Sequence, residues 1–157
     1  MVRDLKRFGT DLRLLHNLER QKSNRDPGND LSVARRPETG QVDLETLSDA
    51  DNLVQALLLR FLTPMGEMAQ LGHPDYGSRL AELIGELNTE TNRNRAKLYV
   101  LQALALEPRV KQVISVQVKQ DRKRPTLMEI SVSLLAIDSD TPLNLVFPFF
   151  LERGVTP

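Results

Sequence analysis

The sequence predicts an α+β fold: N-terminal helices followed by a C-terminal antiparallel sheet of about three strands, plus an extra N-terminal helix. Three observations predict it. Apolar residues recur at helical spacing between residues 53 and 106, and the spacing falls to two after Pro108. The alternating runs that follow are joined by short linkers at 119–126 and 138–142. A parallel pairing needs a crossover of about a dozen residues or more, so these strands must be antiparallel neighbours. Hydrophobic residues make up 40% of the 157 and charged residues 27%, enough apolar material to bury a core.

Taken in order, residues 3–22 predict a helix with a narrow seam of Leu5, Phe8, Leu12 and Leu15 and arginines on its other faces. The turn formers of 23–30 stop it. Residues 31–47, broken by Pro37 and Gly40, predict a loop with a short strand. Ser48 followed by Asp51 resembles a capping box and opens a helix whose 53–62 stretch, LVQALLLRFL, is apolar nearly all round. Thr63-Pro64 and Gly66 end it. Ser78 caps a short helix carrying Leu80, Leu83, Ile84 and Leu87. Asn88 or Thr89 caps a longer one to about Leu106, with one stripe of Ala96, Tyr99, Val100, Ala103 and Leu104. A second stripe of Leu98, Leu101 and Ala105 predicts packing on two sides. The strands follow: Ile114, Val116, Val118; then Met128, Ile130, Val132, Leu134; then Leu143, Leu145, Phe147, Phe149, Leu151. Pro148 lacks the ladder donor, which places the last strand at an edge. The division is residues 1–47 as a helical extension and linker, and 48–157 as the main domain.

Composition removes several chemistries. The chain has no cysteine and only His16 and His73, so thiolate metal sites, disulfides and cysteine nucleophiles are excluded and a histidine-based triad has little to draw on. Lys+Arg and Asp+Glu both number 21, and aromatics are 4%, which argues against nucleic acid as a partner. No metal or other cofactor is expected. No apolar run approaches the roughly 18 residues of a membrane span. The opening MVRDLKRFGTDLRLL is not a secretory signal, so assembly in the cytoplasm is expected.

Four short motifs occur in order: Leu62-Thr63-Pro64-x-Gly66-Glu67, Pro74-Asp75-Tyr76-Gly77-Ser78, Asn92-x-x-Arg95 and Glu107-Pro108-Arg109. Their order and spacing resemble the lysozyme-like baseplate wedge family of contractile phage tails, type VI secretion systems and extracellular contractile injection systems. The resemblance covers most of the main domain and leaves 1–47 outside. It implies a structural protein, six copies around the tail tube, in the baseplate of a phage tail-like particle. Its implied partners are the sheath protein, the baseplate wedge core proteins and, as further neighbours, inner tube or hub proteins. It implies that the strand region is a template to which the first sheath ring adds extended arms. It also implies that Glu107, Pro108 and Arg109 dock on the helical core bundle of the wedge.

The residues themselves leave alternatives open. Pro108 ends the helix, and Glu107 and Arg109 then point to one side of an extended segment, offering an acceptor beside a planar donor fork. That pair reads equally as an internal ion pair. Tyr76 either anchors its turn on the core or meets a partner, and Glu67 has Arg60 or Arg79 as candidate partners. The strand of Leu143, Leu145, Phe147, Phe149 and Leu151 either completes the core or recruits a neighbouring strand by β-augmentation, or does both. The 119–125 loop, KQDRKRP, reads as a solvated hairpin tip or as a contact for an acidic partner. A glycosidase needs paired carboxyl groups, one with a raised pKa, and no recognisable catalytic loop holds Glu67, Glu82, Glu86, Glu90 or Glu107. The expected function is a baseplate wedge subunit that initiates the sheath and is not an enzyme. The alternatives are an adaptor that binds a helical bundle without a sheath role, and a peptidoglycan-cleaving lysozyme-like enzyme.

Overall fold

The computed structural model describes residues 8–14, 31–137 and 139–152. The chain divides into two compact units, Met1–Gln55 and Ala56–Pro157.

In the first unit, β1 (Thr10–Leu12) pairs antiparallel with β4 (Thr46–Ser48), and β2 (Val33–Arg35) pairs with β3 (Val42–Leu44). The predicted helix over 3–22 is therefore overturned at 10–12; Leu5 and Leu15 lie outside the described residues. Gly9 and Thr10 are poor helix formers at the middle of that seam, and Gly9 takes a left-handed φ of +70°. The backbone of 8–14 finds partners elsewhere. The Asn52 amide donates to the Phe8 carbonyl at 2.7 Å, and Gln55 donates to the Leu12 carbonyl at 2.7 Å while accepting from the Leu14 N–H at 2.8 Å. These bonds account for two buried amide side chains. The predicted loop of 31–47 is mostly a hairpin, closed by Gly40 at φ +70° and by an Arg36–Asp43 ion pair.

Helix α1 (Asp49–Leu62) runs from the first unit into the second. The predicted capping box does not describe its start, where the Ser48 hydroxyl donates to the Asp49 carboxylate at 3.3 Å. The second unit continues with 3-10 turns at Ala69–Leu71 and Leu80–Leu83, then α2 (Glu90–Ala105). Thr89 caps α2 by accepting from the Asn92 N–H. Of its two predicted stripes, the first is buried. The second is open: Leu98 is 50% exposed and Ala105 is exposed.

Strands β5 (Val110–Gln120), β6 (Leu127–Ala136) and β7 (Leu143–Phe150) form an antiparallel meander in that order. Helix α2 packs on β5. Met128, Ile130, Val132, Leu134, Leu145, Phe147 and Phe149 line the buried face. Phe61 of α1 stacks on Phe147 with ring centroids 5.3 Å apart.

Two hydrogen bonds fix which backbone groups face which way. Across β5–β6 the Asp121 N–H donates to the Leu127 carbonyl, and across β6–β7 the Leu151 N–H donates to the Thr126 carbonyl, both at 3.0 Å. In an antiparallel ladder a residue's N–H and C=O face the same neighbour, and alternate residues face opposite ways. With the observed register, Leu143, Leu145, Phe147 and Phe149 bond to β6. Asn144, Val146, Pro148 and Phe150 turn their backbone groups to the free side. Pro148 thus sits where a missing N–H costs no ladder bond, which is why an apolar core strand tolerates it. By the same phase, Ser115, Gln117 and Lys119 bond to β6, while Val116, Val118 and Gln120 face outward.

Gly77 shows how tightly the loops are fitted. Its φ is +109°, and an added Cβ would lie 2.6 Å from the Thr63 carbonyl oxygen and 2.7 Å from that of Pro64. Gly77→Ala should destabilise the protein by about 2 kcal/mol or more in urea unfolding, because both the backbone strain and the overlap oppose it. Gly40→Ala, with the same hand of φ but open space around it, should cost about 1 kcal/mol or less.

Candidate functional site

Three of the four motifs are drawn together by the chain itself. Thr63 and Pro64 end α1 and lie beside the 74–78 turn: the Ser78 N–H donates to the Thr63 carbonyl at 2.9 Å, and the Met65 N–H donates to the Ser78 carbonyl at 2.9 Å. The buried Ser78 hydroxyl donates to the Phe61 carbonyl at 2.6 Å, satisfying an orphan acceptor at the helix end. It also accepts from the Leu80 N–H, as a cap to the 3-10 turn.

Arg60 lies at this junction, 9% exposed. Its guanidinium stands over the Tyr76 ring, 4.7 Å from the centroid, and pairs with the Glu107 carboxylate at 3.3 Å. Glu107, 5% exposed, also accepts from the Arg109 side-chain Nε at 2.6 Å and from the Arg109 N–H at 3.3 Å. Two arginines therefore share one buried carboxylate. Burial alone pushes the Glu107 carboxyl up. The Arg109 hydrogen bonds and charge, with the Arg60 charge, outweigh that and hold it below the usual carboxylate range. Burial pushes the Tyr76 hydroxyl up. Pro108 is exposed, and the Arg109 side chain remains 30% exposed.

So Glu107 and Arg109 form an internal pair, and Arg109 also reaches the surface. From sequence Arg60 was a candidate partner of Glu67 only, and its pairing with Glu107 was not foreseen. The signal for it was present, since a lone arginine in an otherwise apolar helix face needs a buried partner. Glu67 is exposed, while Arg60 pairs with Glu107 and Arg79 pairs with Glu82.

The Asn92-x-x-Arg95 motif belongs to a second network. Asn92 donates to the Leu87 carbonyl at 2.9 Å and accepts from Arg95 at 3.1 Å. Arg95 donates to the Tyr99 hydroxyl, which donates to Glu82 at 3.2 Å. Arg79 grips Glu82 with a two-pronged bond of 2.8 and 2.9 Å, which lowers the Glu82 pKa.

The strand residues Leu145, Phe147, Phe149 and Leu151 are buried and Leu143 is half-buried. Their side chains complete the core, and the free side of β7 is presented by the residues between them. The 119–125 tip is tied down. The Asp121 carboxylate accepts from the N–H groups of Lys123 and Arg124 at 2.8 Å each, and the Asn88 amide donates to the carbonyls of Pro125 and Leu127. Its basic side chains Arg122, Lys123 and Arg124 are exposed. Among the described residues, no group of three or more His, Cys, Asp or Glu could hold a metal ion, and no helix is long and apolar enough to cross a membrane.

No family model matches the chain, and no curated protein matches it. Among solved structures the fold is similar to that of a protein from Geobacter sulfurreducens provisionally named a tail lysozyme. The identity is 24%, the TM-score is 0.59, and the match covers 69% of this chain and 96% of that one. The likeness establishes the fold of the matched part.

Glu107→Gln should destabilise the protein by about 3–5 kcal/mol in denaturant unfolding, because it leaves two arginine charges sharing no carboxylate. Glu82→Gln, at an exposed pair, should change stability far less. Because the Glu107 pKa is lowered on folding, its contribution is complete above the ordinary carboxylate range and disappears as pH falls through the folded value. Glu107→Gln should accordingly flatten the acid limb of the stability–pH curve, measured by thermal melts from neutral to acid pH.

Proposed function

We propose that this chain is a structural component of a phage tail-like contractile particle: a baseplate wedge subunit that docks on the wedge core and initiates the sheath. The observation that carries the reading is the arginine-rich corner. Arg60, Glu107 and Arg109 together hold one more positive than negative charge, and Arg109 brings its planar donor fork to the surface on a proline-stiffened segment. That arrangement suits a carboxylate on a partner helix. The motif resemblance supports the wedge assignment, and the fold it shares with a protein named for a phage tail is consistent with it. Repetition of the subunit around a tube would turn modest contacts into a stable ring through effective concentration. Sheath initiation rests on the sheet, whose edges are unpaired among the described residues.

The neighbour's name also raises peptidoglycan cleavage as a second reading. A general acid for that chemistry needs a carboxyl group whose pKa is raised. Glu107, Glu82 and Asp121 are all shifted the other way. None of these three fits the role of that acid.

Two outcomes are expected. Arg109→Gln should weaken co-purification with wedge proteins encoded in the same genome by about tenfold or more, while the melting curve stays cooperative. Purified protein should release no soluble fragments from peptidoglycan; release that is lost in Glu67→Gln, whose side chain is exposed, would establish the enzyme instead.

A further inference from the structure

Helix α2 has a face that the rest of its unit leaves uncovered. Thr91, Asn94, Leu98, Leu101 and Ala105 follow one another at alternating spacings of three and four, the seam pattern of a coiled coil. Ala96, Val100, Ala103 and Leu104 fill the buried side of the helix. On the seam, Leu98 is 50% exposed, Leu101 is half-buried, and Thr91, Asn94 and Ala105 are exposed. At the helical rise it runs for about 20 Å, room for a partner helix to lie along it for roughly four turns. The Glu107–Arg109 corner is not part of this face, since Glu107 turns inward to Arg60.

Charge decides what fits there. Between 91 and 105 the helix holds Arg93, Arg95 and Lys97 and no carboxylate; Glu90 lies before them in the first turn. Arg95 and Lys97 stand on the two flanks of the seam, at the positions that exchange ion pairs across a coiled coil. Arg95 donates to the neutral oxygens of Asn92 and Tyr99, while the nearby Glu82 is held by Arg79. Lys97 is exposed and joins no ion pair among the described residues. A second copy would bring the same cations and no carboxylate along the seam. A lipid surface fits poorly too, because Asn94 and Gln102 are exposed on this face and acyl chains offer them no hydrogen bond.

We propose that the outer face of α2 is a second docking surface, separate from the arginine-rich corner. Its occupant is an amphipathic helix of another protein, with acidic residues beside its apolar seam. A polar side chain of that helix meets Asn94 and sets the register. The inference goes beyond the assembly reading above and does not depend on it.

The probes are two synthetic peptides of about three heptads, each with a leucine seam and one asparagine, one flanked by glutamates and the other by lysines. Each is titrated into the full chain with its leucine methyl groups labelled for NMR. The acidic peptide should bind about tenfold or more tighter than the basic one. It should shift the Leu98 and Leu101 signals and leave Leu71 and Leu87 unmoved, although these are 69% and 78% exposed. Leu98→Gln should abolish binding with the melting curve unchanged, and Lys97→Glu should cut the preference for the acidic peptide about tenfold. If Leu98→Gln lowers the melting temperature, the methyl map of the unaltered chain decides. No binding of the acidic peptide, or shifts at Leu71 and Leu87 as large as at Leu98, overturns the docking surface. Equal binding of the two peptides, or an unchanged preference in Lys97→Glu, overturns the acidic character of the partner. A dimer that Leu98→Gln abolishes in sedimentation assigns the face to a second copy, and binding to phosphatidylserine vesicles that Leu98→Gln abolishes assigns it to a membrane; either result overturns the proposal.

Discussion

Burying Arg60 is the constraint around which the second unit is arranged. A guanidinium cannot shed its charge, so a helix that carries one inward must be met by a carboxylate and, where space allows, an aromatic face. Glu107 and Tyr76 meet those two needs, and each comes from a different part of the chain. Glu107 can reach Arg60 only because Pro108 ends α2 where it does. Tyr76 can stand under Arg60 only because the 74–78 turn is pinned against the end of α1 through Ser78 and Gly77. The Arg60 cluster thus ties together the end of one helix, a loop and the segment that leads into the sheet.

The cost of that arrangement explains the motifs in physical terms. Breaking a buried pair leaves an uncompensated charge, whereas an apolar replacement of the whole cluster need not destabilise. A purely structural role therefore does not require these residue types. An ion pair kept at the surface end of a buried network makes sense if its outer member has something to grip, and Arg109 occupies that position.

Much of the second unit was legible in the sequence. The change of period at Pro108, the short linkers and Pro148 gave the three-stranded antiparallel meander and an edge place for its last strand. Thr89 was readable as a cap. The first unit was not legible in the same way. Phe8 and Leu12 sit at helical spacing, but a seam of so few residues cannot outweigh Gly9 and Thr10 once Asn52 and Gln55 offer hydrogen bonds to an extended backbone. Those bonds span more than forty residues of sequence, and local periodicity carries no information about them. The second stripe of α2 misled for the opposite reason. Spacing tells which residues share a face, and not whether the chain has anything to put against it. Burial of Glu107 was open from sequence because its partner, Arg60, lies on α1, a distant element.

The clamped tip between β5 and β6 has a consequence for recognition. Asn88 holds the loop from one side, Asp121 holds it from within, and Gln120 reaches the Pro125 carbonyl from its base. Its cations are thereby mounted on a stiff bracket. An anionic partner, were one to engage them, would find the anchor points already spaced, with little freedom left to lose. The match in spacing would then count for more than total charge.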